Sequence, residues 1–216
     1  MPLVPGAIHI WKAPLNLAPF YIHQRAGLLS ADEIERAHRL RQPARHSFVA
    51  ARSTLRLILS QYLRCHPEDI CFTYSDRGKP FLKRANPDQC SLQFNLSHSQ
   101  GLAVYAIATQ GAIGIDIECI RTVPALTRLA RRYFSPQECA SLEPLSGLPQ
   151  QRRFFELWTQ KEAYAKATGE GIYRLATLKP PPTWFTSRLQ IAPGYVAAVT
   201  ASALVHDLHL FYWAGC

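Results

Sequence analysis

The sequence predicts an α+β fold of two similar lobes, each an antiparallel sheet packed with a long helix, the two related by a pseudo-twofold. Three observations lead there. Helical periodicity is sustained near 45–63 and again near 152–168, at matching places in the two halves. Short strand patterns with turn residues between them follow each helix. A faint internal echo then pairs Leu92-Gln-Phe before Gly101-Leu-Ala-Val-Tyr-Ala-Ile-Ala with Leu189-Gln-Ile before Gly194-Tyr-Val-Ala-Ala-Val-Thr-Ala. A chance likeness of two apolar strands would read the same way. The seam falls near residue 113, which gives lobes 1–113 and 114–216.

The elements follow in order. Ser30-Ala-Asp-Glu33 has the form of a capping box, opening a basic helix through Arg36, Arg39 and Arg41 that ends near Pro43. The helix from Arg45 to Leu63 carries Phe48, Leu55, Leu59 and Leu63 near helical spacing, with Arg45, Arg52 and Arg56 on other faces. Ser75-Asp-Arg-Gly-Lys-Pro80 is a turn. Leu92–Leu96 alternates as a half-buried strand does, and Leu102–Ala108 is its fully apolar partner. Gly114-Ile-Asp-Ile-Glu118 alternates again. Helices are expected at 125–133, 136–142 and about 152–168, the last capped by Gly169. Strands near 195–201 and 208–213 close the chain.

The 216 residues suffice for one sizeable domain or two small lobes. Hydrophobic residues at 48% and charged residues at 18% exclude wholesale disorder. No apolar run approaches the roughly 20 residues needed to span a bilayer, and Pro2, Pro5, Pro14 and Pro19 interrupt any leader-like segment. A cytoplasmic protein is the expectation. The six cysteines, at 65, 71, 90, 119, 139 and 216, form neither a C-x-x-C pair nor a zinc set, so they receive no chemistry. The net charge of +9 calls for a polyanionic partner, or else serves solubility alone.

Four motifs could carry chemistry. Along a strand Asp116 and Glu118 share one face, where two carboxylates repel unless a cation bridges them. Hard oxygens of this kind suit Mg²⁺, although an exposed acidic edge strand would look identical. Trp158, Glu162 and Lys166 form one stripe of a helix. Glu162 and Lys166 could be an ordinary surface ion pair, but Trp158 implies that the stripe faces something. Phe94-Asn-Leu-Ser-His-Ser99 before Gly101 offers phosphate donors at a strand end, while His98 alone could be structural. Arg77-Gly-Lys-Pro80 presents two cations on what could be a solvated loop.

In this order and spacing the motifs R-G-K-P, F-N-L-S-H-S, G-I-D-I-E and W-T-Q-K-E-A-Y-A-K resemble the 4'-phosphopantetheinyl transferase superfamily, in its two-lobed type that acts on carrier domains of fatty-acid, polyketide and peptide synthases. The resemblance spans residues 45–172 and is loose before them. It implies coenzyme A as substrate, Mg²⁺ as cofactor, adenosine 3',5'-bisphosphate as product, acidic apo carrier proteins as partners and a monomer. By the same resemblance Asp116, Glu118 and Glu162 are the magnesium ligands. Glu162, Lys166 and His98 are catalytic. Arg45, Arg52, Arg77, Gly78, Lys79, Pro80, Ser97, His98 and Lys166 bind coenzyme A, and Glu138 is a further acidic position. Glu162, as the acidic group expected nearest Lys166, would take the serine proton directly or through metal-bound water.

Two other readings compete. A Mg²⁺-dependent nuclease would place its Glu and Lys on adjacent strands, whereas Glu162 and Lys166 are four apart on a helix. A nucleic-acid-binding module would interleave aromatics with Arg and Lys on an exposed sheet, whereas Phe94, Tyr105 and Ile107 read as core. Neither nucleic acid nor a membrane is the expected partner.

Overall fold

The computed structural model describes residues 2–83, 92–171, 175–177 and 179–214; Cys90 and Cys216 lie outside them. The first element is a strand, β1 (Ala7–Pro14), hidden in the sequence by flanking prolines. Its alternation puts Ile8 and Ile10 on one face and His9 and Trp11 on the other, and both of these rings reach the Tyr62 hydroxyl at 2.8 Å. Helices α1 (Pro19–Ala26), α2 (Ala31–Arg39) and α3 (Ala44–Leu63) follow. Two hairpins come next, β2 (Phe72–Tyr74) with β3 (Pro80–Leu82), and β4 (Gln93–Ser99) with β5 (Leu102–Ala108).

The second half begins with β6 (Ile113–Cys119), continues through α4 (Leu126–Tyr133), α5 (Pro136–Ala140) and α6 (Gly147–Thr168), and ends with β7 (Phe185–Leu189), β8 (Tyr195–Ala201) and β9 (Asp207–Tyr212). Helix α6 begins earlier than the expected Arg152. Pro149 falls in its first turn, where a missing N–H leaves no intrahelical bond unmade.

The sheets are β4-β5-β1-β9 and β6-β8-β7, with a separate β2-β3 ribbon. Each main sheet is antiparallel except at β9, which crosses back to pair parallel with β1 instead of closing the second sheet. Leu208 packs on the core between the sheets, and the Phe211 ring lies 4.9 Å from Trp11, so β9 gains apolar contacts as well as a ladder. The first sheet is buried on both faces. Leu55, Ile58, Leu59, Tyr105 and Ile107 form the core under α3, while Ile8, Ile10, Val104, Ile115, Ile117 and Val199 fill the space between sheets. No helix among the described residues is long and apolar enough to cross a membrane.

Arg52 and Arg56 do lie off the apolar row of α3, yet both are buried, at 5% and 0% exposure. Glu33, fully buried on α2, is the reason. Its carboxylate accepts from Arg56 Nε at 2.7 Å, pairs with Arg52 Nε at 3.2 Å and takes the Ser30 N–H at 3.1 Å. Buried ions survive only when paired in this way.

Candidate active site

Helix α6 lies so close to β6 that a Cβ on Gly114 would overlap the Ala163 carbonyl and the Ala167 amide. This contact brings the C-terminal turns of the helix over the acidic strand. Lys166 Nζ reaches Asp116 Oδ1 at 2.6 Å and Ser97 Oγ at 3.0 Å, and the Ser97 hydroxyl donates to the same Asp116 oxygen at 2.7 Å. The expected neighbour of Lys166 was Glu162. The structure corrects this: the close approach at Gly114 lets the lysine reach across to the strand, and Asp116 is its ion-pair partner.

Arg52, Arg77, Gly78, Lys79, Pro80, Ser97, His98, Glu162 and Lys166 line one cleft of about 410 Å³ between the two halves. The R-G-K-P turn is not a free solvated loop. Gly78 adopts φ +77° at its tip, Arg77 Nη1 donates to Gly169 O at 2.8 Å, and Lys79 Nζ donates to Ile113 O at 3.1 Å and Lys166 O at 2.6 Å. Two cations thus meet carbonyls at the C-terminal end of α6, where the helix dipole is negative. Among the described residues Arg52 Nη1 is buried without a partner, so a donor remains there for an anion.

The electrostatics follow from burial and neighbours. Burial raises the Asp116 carboxyl, opposed by the Lys166 charge. Glu162, half-buried and with no hydrogen-bond donor among the described residues, is pushed up to about 7, first by desolvation and then by the Asp116 charge. Desolvation in the cleft, then the Lys166 charge, holds His98 below the usual imidazole range. Lys79 falls to about 8 for the same two reasons.

Asp116, Glu118 and Arg45 are not among the residues that line the cleft; Asp116 is buried against Ser97 and Lys166. Glu118 opens instead on a neighbouring hollow with Arg121, Phe155 and Trp158, and its Oε2 accepts from Ser99 Oγ and Arg121 Nη1, each at 2.8 Å. Arg45 lies apart from the cleft lining: its guanidinium donates to Ala37 O at 3.0 Å and His38 O at 3.1 Å, tying down the end of α2. Arg36 takes the cleft position, stacked 5.4 Å from the Phe48 ring. Glu138 caps α5 by accepting the Ser135 N–H at 2.7 Å and pairs with buried Lys161 at 3.1 Å, so its observed work is structural. Among the described residues no three His, Cys, Asp or Glu side chains form a ready metal cage. Asp116 Oδ2 is nevertheless buried with no partner among the described residues, and the Asp116 and Glu118 charges add to the desolvation that lifts Glu162. A hard divalent cation fits this donor set.

Comparison with known proteins bears on the whole chain. The profile of the 4'-phosphopantetheinyl transferase superfamily matches residues 112–200, and that of the 4'-phosphopantetheinyl transferase N-terminal region matches 22–110. The 4'-phosphopantetheinyl transferase HetI of Nostoc sp. is 40% identical over 215 residues, which cover 93% of this chain and 90% of HetI. The chain belongs to the 4'-phosphopantetheinyl transferase superfamily. It is also 32% identical over 185 residues to a phosphopantetheinyl transferase of Thraustochytrium sp., covering 78% of this chain and 63% of that one. With the 4'-phosphopantetheinyl transferase Sfp of Bacillus subtilis it shares 34% identity over 118 residues, 55% of this chain and 50% of Sfp. This phosphopantetheinyl transferase is an enzyme whose two profile matches adjoin at the β5–β6 junction, and each match contributes residues to the cleft.

Proposed function

We propose that this transferase moves the 4'-phosphopantetheine arm of coenzyme A onto a serine of an acidic apo acyl or peptidyl carrier protein, with Mg²⁺, releasing adenosine 3',5'-bisphosphate. The reading rests on one observation above the others: Ser97 and His98 of β4, Arg77–Pro80 of the β2–β3 hairpin and Glu162 and Lys166 of α6 surround a single cleft, and two of these, Ser97 and Lys166, hold the buried Asp116 carboxylate.

Arg36, Arg52, Arg77, Lys79, Ser97 and His98 give the cleft donors suited to a phosphorylated nucleotide, with Gly78 and Pro80 shaping its wall. Asp116, Glu118 and Glu162 would hold the cation. When bound, that cation supplies charge neutralisation and in-line orientation of pyrophosphate oxygens. Glu162 accepts the proton of the carrier serine as its oxygen bonds to the phosphorus that bears the pantetheine arm. The bond from that phosphorus to the bridging oxygen breaks, and the oxygen leaves with adenosine 3',5'-bisphosphate. Lys166, already beside Asp116, offsets charge at the bridging oxygen and returns a proton to the leaving group. His98 donates to coenzyme A phosphate. A monomer working in the cytoplasm, with neither nucleic acid nor membrane as partner, completes the proposal.

The test is incubation with coenzyme A, Mg²⁺ and an apo acyl carrier protein, read by intact mass of the carrier. A gain of one phosphopantetheine arm, lost on chelation of Mg²⁺, is the expected result. No gain across several apo carriers would defeat it.

A further inference from the structure

Strands β4 and β6 lie side by side without forming a backbone ladder. Side chains two residues apart on β4 bridge the gap. Asn95 Oδ1 accepts the Ile115 N–H at 2.9 Å. Ser97 Oγ donates to Asp116 Oδ1, and Ser99 Oγ donates to Glu118 Oε2 at 2.8 Å while accepting the Cys119 N–H at 3.1 Å. Both strands repeat every two residues, so one unit occurs twice: serine, carboxylate and cation, as Ser97–Asp116–Lys166 and as Ser99–Glu118–Arg121.

The two units agree in detail. In each, a serine and a cation hold the same carboxylate oxygen, Lys166 at 2.6 Å in the first and Arg121 at 2.8 Å in the second. In each, the other oxygen meets no donor among the described residues, Asp116 Oδ2 being buried and unpartnered. The Ser99 hydroxyl has only one proton and already accepts from Cys119, so that proton is directed to Glu118.

We propose that Ser99 is a positioning residue that locks the Glu118 carboxylate by one oxygen and leaves the second turned to a divalent cation, as Ser97 does for Asp116. The inference rests on Glu118 being a metal ligand, as proposed above. Groups that orient a ligand in this way typically change metal affinity by about 10–100-fold when removed.

The test is Mn²⁺ binding to the full-length protein with coenzyme A present, free Mn²⁺ being read by electron paramagnetic resonance. Ser99→Ala is expected to weaken Mn²⁺ about tenfold, and Ser99→Thr, which keeps the hydroxyl, to restore it. In a Glu118→Gln background Ser99→Ala should add nothing further, because its effect runs through that carboxylate. If Ser99→Ala does not fold, Ser99→Cys, of similar shape but a weak donor, gives the same readout. Wild-type affinity in Ser99→Ala, or its full loss persisting in the Glu118→Gln background, overturns the assignment. If Glu118→Gln itself leaves Mn²⁺ binding unchanged, Glu118 is not a ligand and both readings fall together.

Discussion

Lys166 Nζ lies 2.6 Å from Asp116 Oδ1 on the facing strand, although Glu162 stands one turn earlier on its own helix. A helical i,i+4 pair contributes only a few tenths of a kcal/mol at a surface, so a buried carboxylate across the cleft outcompetes it. The lysine thereby pairs with one Asp116 oxygen, and its charge only partly offsets the burial of Glu162. A carboxylate that is half-buried, near two others and unpaired has the properties of a proton acceptor at neutral pH.

Glu162 is therefore expected to set the acid limb of the rate profile. Its carboxyl is pushed up to about 7, and only the deprotonated form can take the serine proton. The logarithm of kcat/KM should fall with unit slope as pH drops through about 7, and more Mg²⁺ should move the inflection lower by favouring the carboxylate. Glu162→Gln should lower kcat by about 100-fold or more while calorimetry finds coenzyme A affinity little changed. A profile flat from pH 6 to 8, or a nearly normal kcat in the variant, would end this assignment.

Glu33 holds two buried guanidinium groups, and Glu33→Gln would leave both without their counter-charge. Breaking a buried pair in this way costs about 3–5 kcal/mol. The urea midpoint should drop accordingly with an unchanged slope. Arg52 also loses its anchor at the cleft, so coenzyme A affinity should weaken in the same variant. A loss of stability below about 1 kcal/mol would mean that water or another group replaces the carboxylate.

Gly114→Ala tests the close approach that places Lys166. A methyl there meets the α6 backbone, at the Ala163 carbonyl and the Ala167 amide, so no side-chain rotation relieves it. The cost is expected at about 3 kcal/mol or more, with α6 pushed outward. In protein that still folds, activity should fall more than coenzyme A affinity, because the Lys166–Asp116 contact opens first. Unchanged melting temperature and activity would show that the helix has room to move.

The parts legible in the sequence were those fixed by neighbours along the chain. Periodicity located α3, α6 and the β4–β5 hairpin, and strand alternation placed Asp116 and Glu118 opposite Ile115 and Ile117. What depends on pairing across the chain was not legible. Strand β1 is flanked by prolines, and nothing in the pattern of β9 tells it to join β1 rather than β8. Spacing could not separate Arg36 from Arg45, because which one faces the cleft depends on how α2 packs on α3. The partner of Lys166 was missed for a similar reason: local rules point to Glu162, and only the approach at Gly114 makes Asp116 nearer. Ser99 gave a faint signal, a second serine two residues after Ser97 as Glu118 stands two after Asp116, whereas Arg121, three residues beyond Glu118, falls outside that period.

The net charge of +9 bears on the proposed acidic carrier through encounter rather than chemistry. Long-range attraction raises association rates and is screened over about 8 Å at physiological ionic strength. The buried contacts of Lys166 and Arg52 are screened much less. Raising salt from 50 to 300 mM should therefore increase KM for the carrier several-fold while kcat changes little. Repeating the series with a free-serine peptide of neutral charge as acceptor should remove the salt effect on KM. Equal sensitivity of the two acceptors would place the effect in coenzyme A binding, and a flat response with the carrier would remove steering altogether.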